Sequence, residues 1–383
     1  MIKQTAKTVS AVMLLCLGAG CVGEDPSTSS VTSEPLLSPL SVRLIASRLD
    51  MPGISAQTTT RGKTINTLHP FNNRIYLGYG DYDANTGPIS ILSYSPAAGT
   101  FDASFSAQTE EINKYYGFNG DLYAPVIDSR NALQTLGVGS VFRLDGPTMT
   151  WSERTPIVNA FHVFDATAFA GKLYVGIGSN YGLRPVIYSS LDKGLTWTAA
   201  FSLPLVLTTE FARCYGLGAT TTSLFASGYI FSSLGAKQFA YKYSGVRWSA
   251  LAGLPGYGLL HPVVLNNSMR IVNMAGHLGF GGAYYGSYAV GTTSLVAQTV
   301  FPVTPTSVNW SIRKADLTNP LDLMCTLIDT STGTHEIYST TDFVTWTPVG
   351  TLPALAADRY SSIACQNGEI YLGTANGDFY VVD

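Results

Sequence analysis

Three observations in the sequence predict an all-β fold: one seven-bladed propeller of four-stranded blades. Short alternating apolar runs recur between clusters of Gly, Pro, Asn and Asp, and helical periodicity is nearly absent, which is the pattern of short strands joined by turns. One turn-plus-strand pattern, N-G-x-[IL]-Y-x-G, returns seven times at a near-constant interval. The two ends also fit each other: the last copy lacks an outer strand, and an unassigned strand precedes the first.

The clear copies are Asn73-Arg74-Ile75-Tyr76-Leu77-Gly78, Asn119-Gly120-Asp121-Leu122-Tyr123, Gly171-Lys172-Leu173-Tyr174-Val175-Gly176 and Asn367-Gly368-Glu369-Ile370-Tyr371-Leu372-Gly373. Weaker ones are Thr222-Ser223-Leu224-Phe225, Asn267-Ser268-Met269-Arg270-Ile271 and Leu321-Asp322-Leu323-Met324. Marking residues 75, 122, 173, 224, 270, 323 and 370 gives intervals of 46 to 53 residues, room for four short strands. A lone four-stranded sheet leaves both apolar faces uncovered, so neighbours must pack on each side.

The third copy predicts strands at 162–169 (innermost), 173–177, 185–189 and 196–201 (outer). Third strands recur at 89–94, 141–144, 239–243, 336–339 and 379–382. The alternating segment 41–47 is expected to supply the missing outer strand of the last blade, because an open edge would leave backbone groups unpaired. The propeller is therefore expected to span 41–383 as one domain.

Charged residues make up only 12% of the 383, where a quarter is ordinary, and this excludes a basic nucleic-acid binder. A hydrophobic content of 46%, with 38 Gly, 22 Tyr and 17 Phe, supplies a large core and excludes disorder. No long apolar run follows the N-terminal stretch, so no transmembrane helix is expected.

The N-terminus carries Lys3 and Lys7 without an acid, then an apolar stretch at 8–17, then Gly18-Ala19-Gly20-Cys21, the layout of an export signal. It resembles a bacterial lipoprotein signal, with Gly18 where that family usually has Leu. The resemblance implies a signal peptide at 1–20, a thiol lipidated at Cys21, and a protein held at the bacterial cell envelope, on the outer membrane or cell surface. Residues 22–39, rich in Ser, Thr, Pro and Glu, read as a flexible tether, placing a linker at 21–40. Loss of Lys3 and Lys7 with the signal takes the formal charge from −3 to about −5. Cys16 and Cys21 belong to the signal, which leaves Cys214, Cys325 and Cys365, an odd number with at least one free thiol. Each lies in an apolar run, as a buried small hydrophobe would, and a Cys325–Cys365 disulfide is the alternative for an oxidising compartment. No CxxC or His/Cys cluster suggests zinc.

Ser190-Leu191-Asp192-Lys193-Gly194-Leu195-Thr196-Trp197 matches S-x-D-x-G-x-T-W and resembles the Asp-box of BNR-repeat propellers. Thr340-Thr341-Asp342-Phe343-Val344-Thr345-Trp346 looks like a shortened form, and the segments ending at Trp248 and Trp151 keep only the turn and the Trp. The resemblance places the box at the hairpin between third and outer strands, away from the active face. There Asp192 can bond turn amides, Gly194 permits a positive φ and Trp197 packs over the turn.

Many BNR propellers are sialidases, and that likeness implies three arginines for a substrate carboxylate, a Tyr/Glu nucleophile pair and an Asp acid/base. The residues available on the predicted loop face are Arg130, Arg184 and Arg213, with Glu210, Tyr215 and Asp81; the Phe-Arg-Ile-Pro motif of the family is absent. Asp81, Asp83 and Asn85 have the alternate spacing of a calcium loop, without its distal carboxylate or its glycine position; no cofactor is expected, with calcium the alternative. His69, His162 and His261 precede second strands near the channel, where a metal or substrate could meet them. Tyr116, Tyr181, Tyr215 and Tyr257 could stack on sugar rings or anchor a protein. The leading expectation is a non-catalytic, lipid-anchored module that binds a glycan or envelope protein on its loop face. The alternative is an exo-acting glycoside hydrolase of the sialidase type, and a third reading is a structural part of an envelope assembly.

Overall fold

The Asn and Gly residues of the repeat form tight hairpin turns because they tolerate left-handed backbone. Asn119 and Gly120 have φ of 49° and 75°, Asn367 and Gly368 52° and 85°, and Asn72-Asn73, Ala170-Gly171 and Asn266-Asn267 are likewise positive in pairs. Two successive positive φ values are what a two-residue type I′ hairpin requires. Each of these turns joins an innermost strand to its second strand. The glycine that closes the repeat has a different purpose. A Cβ at Gly78 would lie 2.4 Å from the Ile112 carbonyl and one at Gly176 2.7 Å from that of Cys214, so a later stretch of backbone approaches to contact there.

The computed structural model describes residues 37–383 except 85–86, 130–137, 180, 205–207, 276–282 and 315–319. The expected signal peptide, the lipidation site Cys21 and nearly all of the tether lie outside the described residues. The described chain is all-β, with one short helix, Thr60–Lys63, and four-stranded sheets in a propeller-like ring. Sheet A comprises Thr67–Phe71, Arg74–Gly78, Ile89–Ser95 and Thr100–Ala107, all antiparallel. Sheet B comprises Tyr116–Phe118, Asp121–Pro125, Val141–Asp145 and Thr150–Glu153. Sheet C is eight-stranded. Its first half is Ala160–Phe169, Lys172–Ser179, Pro185–Ser190 and Thr198–Ser202, and its second half is Phe211–Ala219, Leu224–Ser232, Gly235–Tyr243 and Trp248–Ala250. The halves join through the pairing of Gly178 with Arg213. Sheet D holds Leu259–Leu265, Ser268–Met274, Tyr284–Val290 and Leu295–Ala297; sheet E holds Pro305–Arg313, Leu323–Thr330, His335–Thr340 and Thr347–Leu352. Sheet F ends the chain with Tyr360–Gln366, Glu369–Thr374 and Phe379–Val382.

Sheet F takes its fourth strand from the other end. Val42–Ala46 pairs antiparallel with Phe379–Val382, setting Leu44 opposite Tyr380 and Val42 opposite Val382. The strand expected to cover the open edge therefore does so. The apolar cores lie between successive sheets. One cluster joins Ala364, Tyr371 and Phe379 of sheet F to Ile75 and Leu92 of sheet A and onward to Leu122 and Phe142 of sheet B. Others fill the gaps from B to C, between the halves of C, from C to D, from D to E and from E to F. Burial on both faces explains why second strands read as apolar runs; in Arg74–Gly78 every residue after the first is buried.

The Ser190–Trp197 segment lies in the hairpin that follows Pro185–Ser190. Asp192 Oδ1 accepts the Leu195 and Thr196 amides at 3.1 and 2.8 Å, Oδ2 accepts the Thr196 hydroxyl at 2.6 Å, and Gly194 has φ +86°. Trp197 does more than cover the turn: its indole N–H donates to the Thr155 carbonyl beyond the outer strand of sheet B, at 2.9 Å. Cys325 and Cys365 form a disulfide between sheets E and F, and Cys214 is free and buried.

Candidate functional site

The connections between second and third strands, and from each outer strand to the next innermost one, gather on one face of the ring. Short strand pairs, Thr109–Glu111 with Ile127–Ser129 and Val138–Gly139 with Ile157–Val158, add order there. The face carries a cleft of about 440 Å³ walled by Tyr82, Tyr215, Tyr229, Phe231 and Tyr285. Tyr82 comes from sheet A, Tyr215, Tyr229 and Phe231 from sheet C, and Tyr285 from sheet D, so distant parts of the sequence build one aromatic wall. The rings are fixed by their neighbours. Tyr229 donates to the Gly258 carbonyl at 2.7 Å, Tyr215 packs on Phe164 with centroids 4.6 Å apart, and Tyr285 meets Tyr257 edge-on at 5.1 Å.

Arg213 stands among these rings. Its guanidinium lies 5.9 Å from the Phe164 centroid, 5.6 Å from Phe211 and 5.7 Å from Phe231, and it donates a long hydrogen bond, 3.5 Å, to the Tyr215 hydroxyl. These contacts hold a half-buried cation through ring quadrupoles, and among the described residues Arg213 has no acidic partner. The space for it comes from Gly178 opposite, where a Cβ would meet Phe164 at 3.1 Å and Arg213 Cγ at 3.6 Å.

Tyr82 is positioned by a charged cluster. The Arg61 guanidinium lies 4.2 Å over its ring, pairs with Asp83, and lies 3.9 Å from Asp81 and 4.0 Å from Glu111. Asp81 shapes the loop, accepting the Asp83 and Ala84 amides at 3.1 and 3.3 Å and the Thr59 hydroxyl at 2.6 Å. That hydroxyl also caps the helix Thr60–Lys63 by accepting the Gly62 amide at 2.9 Å. Glu111 is fully buried; its Oε1 accepts the Asn66 side-chain amide at 3.0 Å, and the Tyr82 backbone also supports the carboxylate. Burial pushes its carboxyl up to about 8, against the pull of Arg61.

Of the residues proposed from sequence, Arg130 and Asn85 lie outside the described residues. Tyr215 lines the cleft and Arg213 stands behind its wall, whereas Arg184 is exposed, and neither it nor Glu210 lines the cleft. The Glu210 carbonyl accepts the Gly182 amide at 2.7 Å. Asp81 and Asp83 share Arg61, and among the described residues no group of three or more His, Cys, Asp or Glu side chains is placed to hold a metal ion. His162 lies between Phe161 and Phe164, His261 is buried opposite Val272, and His69 faces the axial channel. Tyr181 and Tyr257 are exposed, against Phe211 and Tyr285. Tyr116 is on an innermost strand, with its ring packed between sheets B and C and its hydroxyl accepting the Ala168 amide at 2.9 Å. Sequence reasoning missed Tyr82, Tyr229, Phe231, Tyr285, Arg61 and Glu111. Tyr82 lay inside the singled-out Asp81–Asp83 loop, and the Glu110-Glu111 pair is conspicuous in a chain poor in charge.

No protein-family model and no curated protein matches this chain. Among the described residues no helix is long and apolar enough to cross a membrane.

Proposed function

We propose that the chain is a seven-bladed propeller of the BNR/Asp-box kind, held at the bacterial cell envelope by a lipid on Cys21, which binds a glycan on its loop face without catalysis. Sheets A, B, D, E and F count as five blades and the halves of sheet C as two more, since a single residue pairing joins those halves. The observation that carries the function is the aromatic cleft: five rings, held at varied angles, offer π-faces to the C–H faces of sugars. Arg213, behind the wall and without an acidic partner among the described residues, holds the Tyr215 hydroxyl and keeps a positive charge close to the same ligand. No Asp or Glu lines the cleft among the described residues, and the Asp81 oxygens accept from its own loop and from Thr59, which favours binding over hydrolysis.

The test is a glycan array probed with the full chain, followed by titration of a bound glycan. Tyr285→Ala, at a half-exposed ring, should weaken binding about tenfold at unchanged melting temperature. Absence of any glycan ligand, or equal binding by Tyr285→Ala, overturns the reading. An envelope protein recovered by crosslinking through the cleft would replace the glycan as ligand. Hydrolysis of a fluorogenic sialoside that is lost in Arg213→Ala would replace the binding module with a glycosidase. Labelled fatty acid incorporated by the wild type and not by Cys21→Ser tests the anchor.

A further inference from the structure

A second cavity, of about 240 Å³, runs along the axis of the ring and is walled by the innermost strands of every sheet. On sheets C, D and E its lining comes from the later part of those strands (Ala166, Leu217, Val264, Ile312), toward the turns into the second strands and so away from the aromatic cleft. The basic residues of the lining are Lys114, Lys314 and His69, with the phenols of Tyr115 and Tyr116 beside them; no Asp or Glu is among the lining residues, although the chain as a whole is net negative.

Each lysine has an acid outside the lining. Lys114 Nζ lies 2.6 Å from Asp165, a fully buried carboxylate that also accepts the Ala166 and Leu217 amides at 2.7 and 2.8 Å. Lys314, three-quarters exposed at the mouth, lies 2.9 Å from Asp322. The acids do not cancel the positive field inside: His69 is pushed down to about 4 by burial and then by Lys314 and Lys114. Its imidazole is therefore neutral at pH 7, and among the described residues it has no hydrogen-bond partner. Two more polar groups of the lining are unused. Ser311, 5% exposed, has a buried hydroxyl without a partner, and the Trp310 indole N–H donates to nothing among the described residues, unlike those of Trp197, Trp248 and Trp346. Leu68, Leu217, Val264 and Ile312 give the cavity an apolar flank, and Asn66, Asn113, Thr167 and Asn309 give it neutral polar groups.

We infer that this end of the axial channel binds a small organic acid, its carboxylate toward Lys114 and Lys314 and its hydrocarbon body against Trp310 and Val264. Donors in surplus, acids absent and an apolar flank select an anion with a hydrophobic part over a sugar or a metal ion. The cavity has the liquid volume of about eight waters, enough for a molecule of about ten non-hydrogen atoms. The site is independent of the loop-face cleft, and either can fail without the other.

Benzoate and hexanoate, with benzamide and hexanamide as neutral counterparts, are titrated into the full chain by calorimetry, while the His69 ring signals are followed by NMR against pH. At least one acid should bind, its amide about tenfold more weakly, and the bound carboxylate should raise the His69 titration above its starting point near 4. Lys314→Gln should weaken acid binding about fivefold at unchanged melting temperature, and Tyr285→Ala should leave it unaltered. The inference is overturned if neither acid binds the folded chain at about 10 mM, if amides bind as well as acids, or if Lys314→Gln or the His69 titration is indifferent to the ligand.

Discussion

Raising the pH from 5 to 9 should destabilise the folded chain through one carboxyl group, that of Glu111. The side chain has no exposed surface; Oε1 accepts the Asn66 amide at 3.0 Å, Oε2 has no hydrogen-bond partner, and the Arg61 guanidinium is 4.0 Å away. Desolvation outweighs that distant cation and pushes the group from 4.5 to about 8. Between these values the folded state keeps a proton that the unfolded chain releases. The stabilisation is therefore complete below pH 4.5, declines as pH rises through the window, and is gone above about 8. At roughly 1.4 kcal/mol per pH unit the whole window is worth about 5 kcal/mol. Glu111→Gln keeps an acceptor for Asn66 and removes the titration. Its new amide faces Arg61, which adds a constant cost, so the slope is what decides. Urea unfolding of both proteins from pH 5 to 9 should show the variant gaining on the wild type by about 4 kcal/mol, the part of the window above pH 5, with equal m-values. Parallel profiles would refute the reasoning, because they would mean that the folded state already holds a carboxylate paired to Arg61.

Three further outcomes follow from the packing. Replacing Cys325 and Cys365 by Ala opens a 40-residue loop and should lower unfolding free energy by about 4 kcal/mol, read from urea melts beside the wild type. Trp197→Phe keeps a ring over the turn but removes the N–H to the Thr155 carbonyl, and should cost about 1 kcal/mol in the same assay. Deleting residues 37–47 uncovers the edge of Phe379–Val382, so the shortened chain should self-associate with rising concentration in sedimentation velocity, whereas the full chain should not.

The ring and its closure were legible in the sequence because they rest on local chemistry. Asn and Gly at left-handed turns, apolar runs buried on both faces and an Asp-bearing hairpin each leave a mark within a few residues of one another. The cleft was only partly legible, since its walls converge from residues 82, 215, 229, 231 and 285, whose meeting depends on ring geometry. Tyr116 illustrates the difficulty: the same aromatic residue serves a loop face or an inter-sheet core, and only its strand position decides. Arg213 and Gly178 illustrate it again. Neither stands out alone, yet the missing side chain of one makes room for the guanidinium of the other.

The four Trp-bearing hairpins show which part of that turn the ring needs. In the full copy the residues after Asp192 both take positive φ, Lys193 at 61° and Gly194 at 86°; in the shortened copy Phe343 takes 62° and no second left-handed residue follows. Losing one residue thus removes the position that required glycine, and Asp342 still accepts the Val344 and Thr345 amides at 2.8 and 2.7 Å. The copy ending at Trp248 has lost the Asp altogether. Even so, Trp248 donates to the Ala200 carbonyl at 3.2 Å, as Trp346 does to Val300 at 3.0 Å and Trp197 to Thr155 at 2.9 Å, each reaching the outer strand of the preceding unit or the segment just beyond it. Trp151 makes the same reach without a hydrogen bond, packing on Tyr76 and Phe105 of sheet A. The feature common to all four is an indole laid across the rim onto the previous unit. The Asp serves to set the turn that aims it, and where another turn aims the indole equally well the Asp is dispensable.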